Sequence, residues 1–244
     1  MNGKKSPFDL IGIILIASLL AAAIAPHIAA AGKDAHIQTD TDGRDRITVV
    51  IDAGHGGEDC GAIGTTGIYE KDINLEVALK LSEYLDAAGF KTVLTRTEDK
   101  LLYKESENIK GMRKISDLKN RVAIANAHSG AILISIHMNS FGDAQCKGLQ
   151  TYYGTCEGSE QLANAIQSST RQRLQPTNRR SIKRGEGLYL LENASIPAVI
   201  VECGFMSNPE ECEKLSQKDY QKELSFSILC GIIEYSKTNA EPAD

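Results

Sequence analysis

Four side chains far apart in the sequence have the types needed for metal-assisted hydrolysis. His55 lies among glycines in "VVIDAGHGGEDCGAIGTTGIYEKDI", and Glu70 stands near the end of the same stretch. His137 follows the apolar run "AILISI", and Glu202 follows "PAVIV". Two imidazoles and one carboxylate form a donor set suited to one Zn²⁺ ion, with a fourth position left for water. A catalytic zinc needs that open position, so Glu202 is more useful beside the ion than on it. There it could take a proton from water and deliver it to a departing amine.

Each residue also has a plainer reading. The glycines around His55 resemble phosphate-loop punctuation, yet no G-x-x-x-x-G-K-[ST] is present, and no clean G-x-G-x-x-G opens into a helix. Gly54, Gly56 and Gly57 could instead permit sharp bends and close backbone approach around the first ligand. Glu70 could cap a helix that begins near Asp72, and either histidine taken singly reads as a hydrogen-bonding residue. Glu202 could be an ordinary buried acid. His128, just before Gly130, reads as a surface or capping residue; His27 and His36 fall outside the region that carries the pattern.

The elements that must position these groups emerge from periodicity. Residues 47–52, "ITVVID", read as a buried strand rich in β-branched side chains. Ile73, Val77, Leu81 and Leu85 recur at intervals of four, predicting a helix with Asp72 near its start and Gly89 near its stop. Strands are expected at 91–96, 131–137 and 148–154, and short ones in "GLYLL" and "PAVIVEC" near Gly187 and Pro197. Helices are expected at 118–127, 159–174 and 218–236. The order predicts an α/β fold: an open three-layer sandwich, a mostly parallel twisted sheet with helices on both faces. In such a fold the carboxyl ends of the strands face one rim, where Asp52, His55, His137, Asn139 and Glu202 could converge.

The chain of 244 residues reads as one domain, 47–238, behind an appendage. Lys4 and Lys5 precede an apolar stretch over residues 10–32, long enough to cross a bilayer. It reads as an uncleaved membrane anchor, or as a signal cleaved near the A-x-A pattern at Ala29–Ala31; either would export the domain behind it. Residues 34–46 look like a polar tether, and 239–244 like a tail. A formal net charge of −5 argues against a domain held by nucleic-acid phosphates. Arg171, Arg173, Arg179, Arg180, Lys183 and Arg184 form a local basic group that could meet an acidic ligand or simply face solvent. Among six cysteines, Cys146 and Cys156 are the best candidates for a disulfide, whereas Cys203 and Cys230 read as packed thiols.

The ordered segments "VVIDAGHGGEDCGAIG…YEKDINLEVA", "LTRTED", "RVAIAN", "ILISIHMNS" and "PAVIVECGFMSN" resemble the zinc N-acetylmuramoyl-L-alanine amidases of the amidase-3 family, from about residue 47 to 235. The resemblance implies His55, Glu70 and His137 as zinc ligands and Glu202 as the catalytic glutamate. It implies hydrolysis of the amide joining the lactyl group of N-acetylmuramic acid to the first L-alanine of a peptidoglycan stem, with Glu202 taking up the water proton and passing it to the alanyl nitrogen. Asn139, Arg96 and Arg121 lie in matching segments. Asn139 could orient substrate or His137, or make a turn bond; the arginines could meet acidic stem groups or form internal salt bridges. Ser207 and Asn208 are expected to form a turn before Pro209. The short interval after His137 lacks the helical insertion of some septal amidases, which makes the chain most like the spore-cortex branch, where an exported lipoprotein assists some relatives. A zinc carboxypeptidase on cell-wall peptides and a non-enzymatic wall-binding protein are the alternatives.

Overall fold

The computed structural model describes residues 47–238. The appendage, the tether and the tail lie outside the described residues, as do His27, His36 and the expected membrane segment. Among the described residues no helix is long and apolar enough to cross a membrane.

Strand β1 (Thr48–Ala53) leads through a glycine-rich loop into helix α1 (Glu70–Ala87), which returns to β2 (Lys91–Leu94). Helix α2 (Arg113–Asn126) precedes β3 (Ile132–Asn139) and β4 (Gln150–Tyr153). Then come α3 (Ser159–Arg173), β5 (Lys183–Arg184), α4 (Tyr189–Asn193), β6 (Ala198–Phe205), α5 (Pro209–Ser216) and α6 (Lys218–Thr238). The strands form one sheet in the order β2-β1-β3-β6-β4-β5. All neighbours are parallel except β4 and β6, which run antiparallel.

Successive strand residues face opposite sides, so both faces are buried and two cores form. Val49, Ile51, Ile134, Ile136, Val199 and Val201 pack with α1, α3 and α6. Val50, Leu133, Ala198 and Ile200 meet Val122 and Ala125 of α2 and Leu190 and Leu191 of α4. The three-layer α/β sandwich with a mostly parallel sheet is therefore present.

Several local expectations change. "GLYLL" adds no strand to the sheet, which takes β5 and β6 from either side of it in the sequence. Residues 189–193 instead coil into α4, and Leu190 and Leu191 fill the second core. The segment after Ser207 and Asn208 is more than a turn. Asn208 accepts from the Glu211 amide at 3.1 Å and Pro209 occupies the first turn, which starts α5. Glu70 is the first residue of α1 rather than a residue preceding it. All six cysteines are free, so Cys146 and Cys156 are not joined.

Candidate metal centre

β1 ends at the rim, and the chain turns sharply there. His55 takes φ +61°, unusual for a residue with a side chain, followed by Gly56 at +139° and Gly57 at +55°. Gly56 and Asp59 exchange backbone hydrogen bonds at 3.0 Å, closing the turn. Arg96 donates to the carbonyls of Ala53, Gly54 and Lys71 at 2.8–3.0 Å. Arg121 donates to Asp52 Oδ1 at 2.6 Å, to the Ala53 carbonyl at 2.7 Å and to the His55 carbonyl at 2.6 Å. Both arginines are only 2% exposed, so neither reaches out to a substrate. Arg121 also pairs with Asp117 at 2.8 Å, the internal role weighed for it; Arg96 binds carbonyls rather than a carboxylate.

The two arginines hold the backbone that aims His55. Burial raises the Asp52 carboxyl, but Arg121 and the hydroxyls of Ser135 and Thr95 outweigh it and hold the pKa at about 2. An ionised Asp52 thus anchors Arg121 beneath the rim.

The cluster forms where α1 begins. Glu70 Oε1 lies 3.2 Å from His55 Nε2 and 3.0 Å from His137 Nδ1. One ligand atom from each of His55, Glu70 and His137 lies within 4.8 Å of the others. The Glu70 carboxylate is fixed by the amides of Ala62, at 2.8 Å, and Met138, at 3.1 Å, and by Asn74 at 3.3 Å. Burial opposes its charge, yet the two imidazoles hold its pKa far below the usual carboxylate range.

Glycine matters at two points. A Cβ on Gly54 would stand 2.2 Å from His137 Nε2, so the bare backbone makes room for that ring. A Cβ on Gly61, at φ +65°, would stand 2.5 Å from Glu70 Oε2 and 2.7 Å from the His55 ring.

Asp59 was not singled out from the sequence. Its Oδ2 lies 2.9 Å from His55 Nδ1 and 3.0 Å from Lys114 Nζ. Burial disfavours a charged His55, but Asp59 and Glu70 overcome this and push its pKa up to about 9. A carboxylate on Nδ1 fixes the ring and leaves Nε2 toward the cluster. The one available signal was an acid four residues after a histidine in a glycine loop, which also describes a solvated turn.

Glu202 lies in β6 directly beside His137 of β3. Its Oε2 is buried and has no hydrogen-bond partner. Burial raises its pKa, with Glu70 adding to the rise and the two histidines opposing it. A carboxylate of raised proton affinity next to a metal-ligand set suits acid/base work. Asn139 ends β3 after a shift in register and accepts from the Met206 amide through its carbonyl, at 2.8 Å, outside the ligand cluster. His128 lies in the turn after α2, where its carbonyl accepts from Ala131, also outside the cluster. A cavity of about 280 Å³ opens beside the histidines, lined by Asp59, Lys114, Leu188 and Tyr189 among others.

Two imidazoles and a carboxylate converging on one point, with an orphaned buried carboxylate alongside, fit a divalent cation of zinc type. The sequence model of a family described as N-acetylmuramoyl-L-alanine amidase matches residues 49–234. This chain belongs to that family. An amidase of this family is a hydrolase that cleaves the bond between N-acetylmuramic acid and L-alanine in peptidoglycan.

The amidase is 36% identical over 197 residues to a germination-specific N-acetylmuramoyl-L-alanine amidase of Bacillus subtilis, covering 80% of this chain and 82% of the relative. It is 37% identical, with a TM-score of 0.76, to the CwlD amidase of Clostridioides difficile, solved in complex with the GerS lipoprotein. That match covers 79% of this chain and all of the solved one. A second amidase structure, from Clostridium difficile 630, matches at 32% identity and a TM-score of 0.70, covering 80% of this chain and 99% of that one.

Proposed function

We propose that this amidase removes stem peptides from spore-cortex peptidoglycan, with one Zn²⁺ held by His55, Glu70 and His137 and with Glu202 as the acid/base. The observation that carries the reading is the convergence of those three donors beside a buried carboxylate oxygen that has no partner. When bound, Zn²⁺ supplies Lewis acidity, making a water molecule more acidic and polarising the lactyl carbonyl.

The protein's own groups do the rest. Asp59 holds Nδ1 of His55 and fixes the ring toward the cluster. Glu70 is held by two backbone amides and by Asn74, so it is already in place before substrate arrives. Glu202, its proton affinity raised by burial, takes a proton from the attacking water and passes it to the alanyl nitrogen. The lactyl group departs as a carboxylate and the stem peptide as an amine.

The cortex assignment is supported by the germination-specific relative. We further infer that residues 10–32 carry the domain across the membrane as an anchor or a cleaved signal, and that an exported lipoprotein assists it, as the complex of the clostridial relative suggests. Digestion of cortex and vegetative peptidoglycan, with products identified by mass spectrometry, tests the substrate. Free stem peptides beginning with L-alanine, released faster from cortex, are expected. Loss of terminal amino acids alone would instead indicate a carboxypeptidase.

A further inference from the structure

The same rim continues past Glu202 onto β4. Gln150 stands opposite Glu202 in the antiparallel pair, and Glu202 stands beside His137 in the parallel pair. His137, Glu202 and Gln150 therefore form one row across three strands, each step about 4.8 Å. Gln150 lies on the side of Glu202 away from the metal ligands.

Gln150 is fixed at both ends of its amide. Its Nε2 donates to the Ser181 carbonyl at 2.7 Å, and its Oε1 accepts from Arg180 Nη1 at 3.1 Å. Arg180 Nε donates to the Lys147 carbonyl at 2.8 Å, and the guanidinium stacks on Phe205 with 4.4 Å to the ring centroid. Three contacts thus hold a half-exposed cation in one orientation, while Nη2 carries no hydrogen bond among the described residues. No carboxylate among them lies within salt-bridge distance of Arg180. Glu211, the acid whose field it feels, is occupied by the amides of Gly148, at 2.9 Å, and Phe205, at 2.8 Å. Tyr152 hydrogen-bonds Gln150 at 3.4 Å. Burial and the Glu202 carboxylate raise Tyr152 while Arg180 lowers it, so the tyrosine feels both groups.

From Arg180 a groove of about 870 Å³ runs along the rim, bordered by Lys147, Gln175, Glu211, Lys214 and Tyr220. It is distinct from the cavity beside the histidines and roomy enough for a peptide segment.

The direction of the reaction says which half of the substrate lies there. Glu202 protonates the leaving nitrogen, so the peptide departs on the Glu202 side. The glycan stays on the other side of the metal ligands. An extended peptide advances about 3.3 Å per residue, which carries the carboxylate of the second stem residue past Glu202 toward Arg180.

We propose that Arg180, held by Gln150, Lys147 and Phe205, is a specificity-determining residue that binds a free carboxylate on the second residue of the stem peptide, with the adjoining groove receiving the rest of the stem. A rigid guanidinium fork with an unused face fits a carboxylate better than a carboxamide, which cannot supply the charge. The inference rests on the amidase reading of the site.

The test uses the full chain on two peptidoglycan preparations, one with a free α-carboxylate at the second stem residue and one with that carboxylate amidated. Wild type should release stems from the free-acid polymer about tenfold faster in kcat/KM, the lower end of what one hydrogen bond to a charged group contributes. R180Q should bring the two polymers to the same lower rate through KM, with zinc content unaltered. R180K keeps the charge without the fork and should discriminate less than wild type, which covers the case of a poorly folded R180Q. Equal cleavage of both polymers by wild type, or undiminished discrimination by R180Q or R180K, would overturn the subsite alone. Cleavage of neither polymer would overturn the amidase reading and the subsite with it.

Discussion

At the scale of single residues, the side chains that converge were readable and their supports were not. His55, His137 and Glu202 stood at the ends of apolar runs, where strand geometry delivers side chains to a shared rim, and their types matched one chemistry. Asp59 carries an acid in a glycine loop, a pattern that solvated turns share. Arg96 and Arg121 could not be assigned because a buried guanidinium is intelligible only through its partners, here backbone carbonyls, Asp52 of β1 and Asp117 one turn earlier in α2. Gly54 looked like a bend and proves to be a space: a methyl there would meet His137 Nε2 at 2.2 Å. Gly54→Ala should therefore displace the His137 ring. Zinc affinity is expected to fall about 10- to 100-fold, as measured by competition with a chelating indicator, whereas unchanged affinity would show that the ring does not need that space.

Elements were legible where their pattern was long. The alternation of buried β-branched residues and the four-residue recurrence in α1 survive in the structure because both faces of the sheet are covered. "GLYLL" failed because a short apolar run fits strand or helix equally, and burial of Leu190 and Leu191 in the second core is met here by a helical turn. Helix α5 was missed although Asn208 and Pro209 are the signals that start it. The junction of β1 and α2 gives this scale its prediction. Asp52 sits well below its ordinary value of 3.8, so its pairing stabilises the fold fully above pH 3.8 and the contribution disappears as pH falls through about 2. Arg121→Met leaves Asp52 buried without its cation and should cost about 3–5 kcal/mol at neutral pH. The Tm gap between wild type and variant should narrow as the pH is lowered from 4 toward 2. A gap that stays constant would mean that the pair does not support the rim.

At the scale of the whole molecule, fold and chemistry agree with the position of the substrate. Peptidoglycan lies outside the cytoplasmic membrane, and the apolar stretch over residues 10–32 behind two lysines is the segment proposed above to carry the domain there. The sheet brings two distant strand ends and a helix start to one edge, so His55, Glu70 and His137 meet without any short metal-binding motif in the chain. Strand ends already suggested a shared rim for His137 and Glu202; the antiparallel entry of β4, which adds Gln150 to the same row, was not visible because register depends on pairing rather than on composition.

The central claim is that Glu202 moves protons next to a metal it does not bind. Zinc content and stem-peptide release, measured on the same preparation of Glu202→Gln, test it directly. The variant should keep the zinc content of wild type while release slows by about 10²- to 10⁴-fold. Undiminished release, or zinc lost in step with activity, would contradict that role.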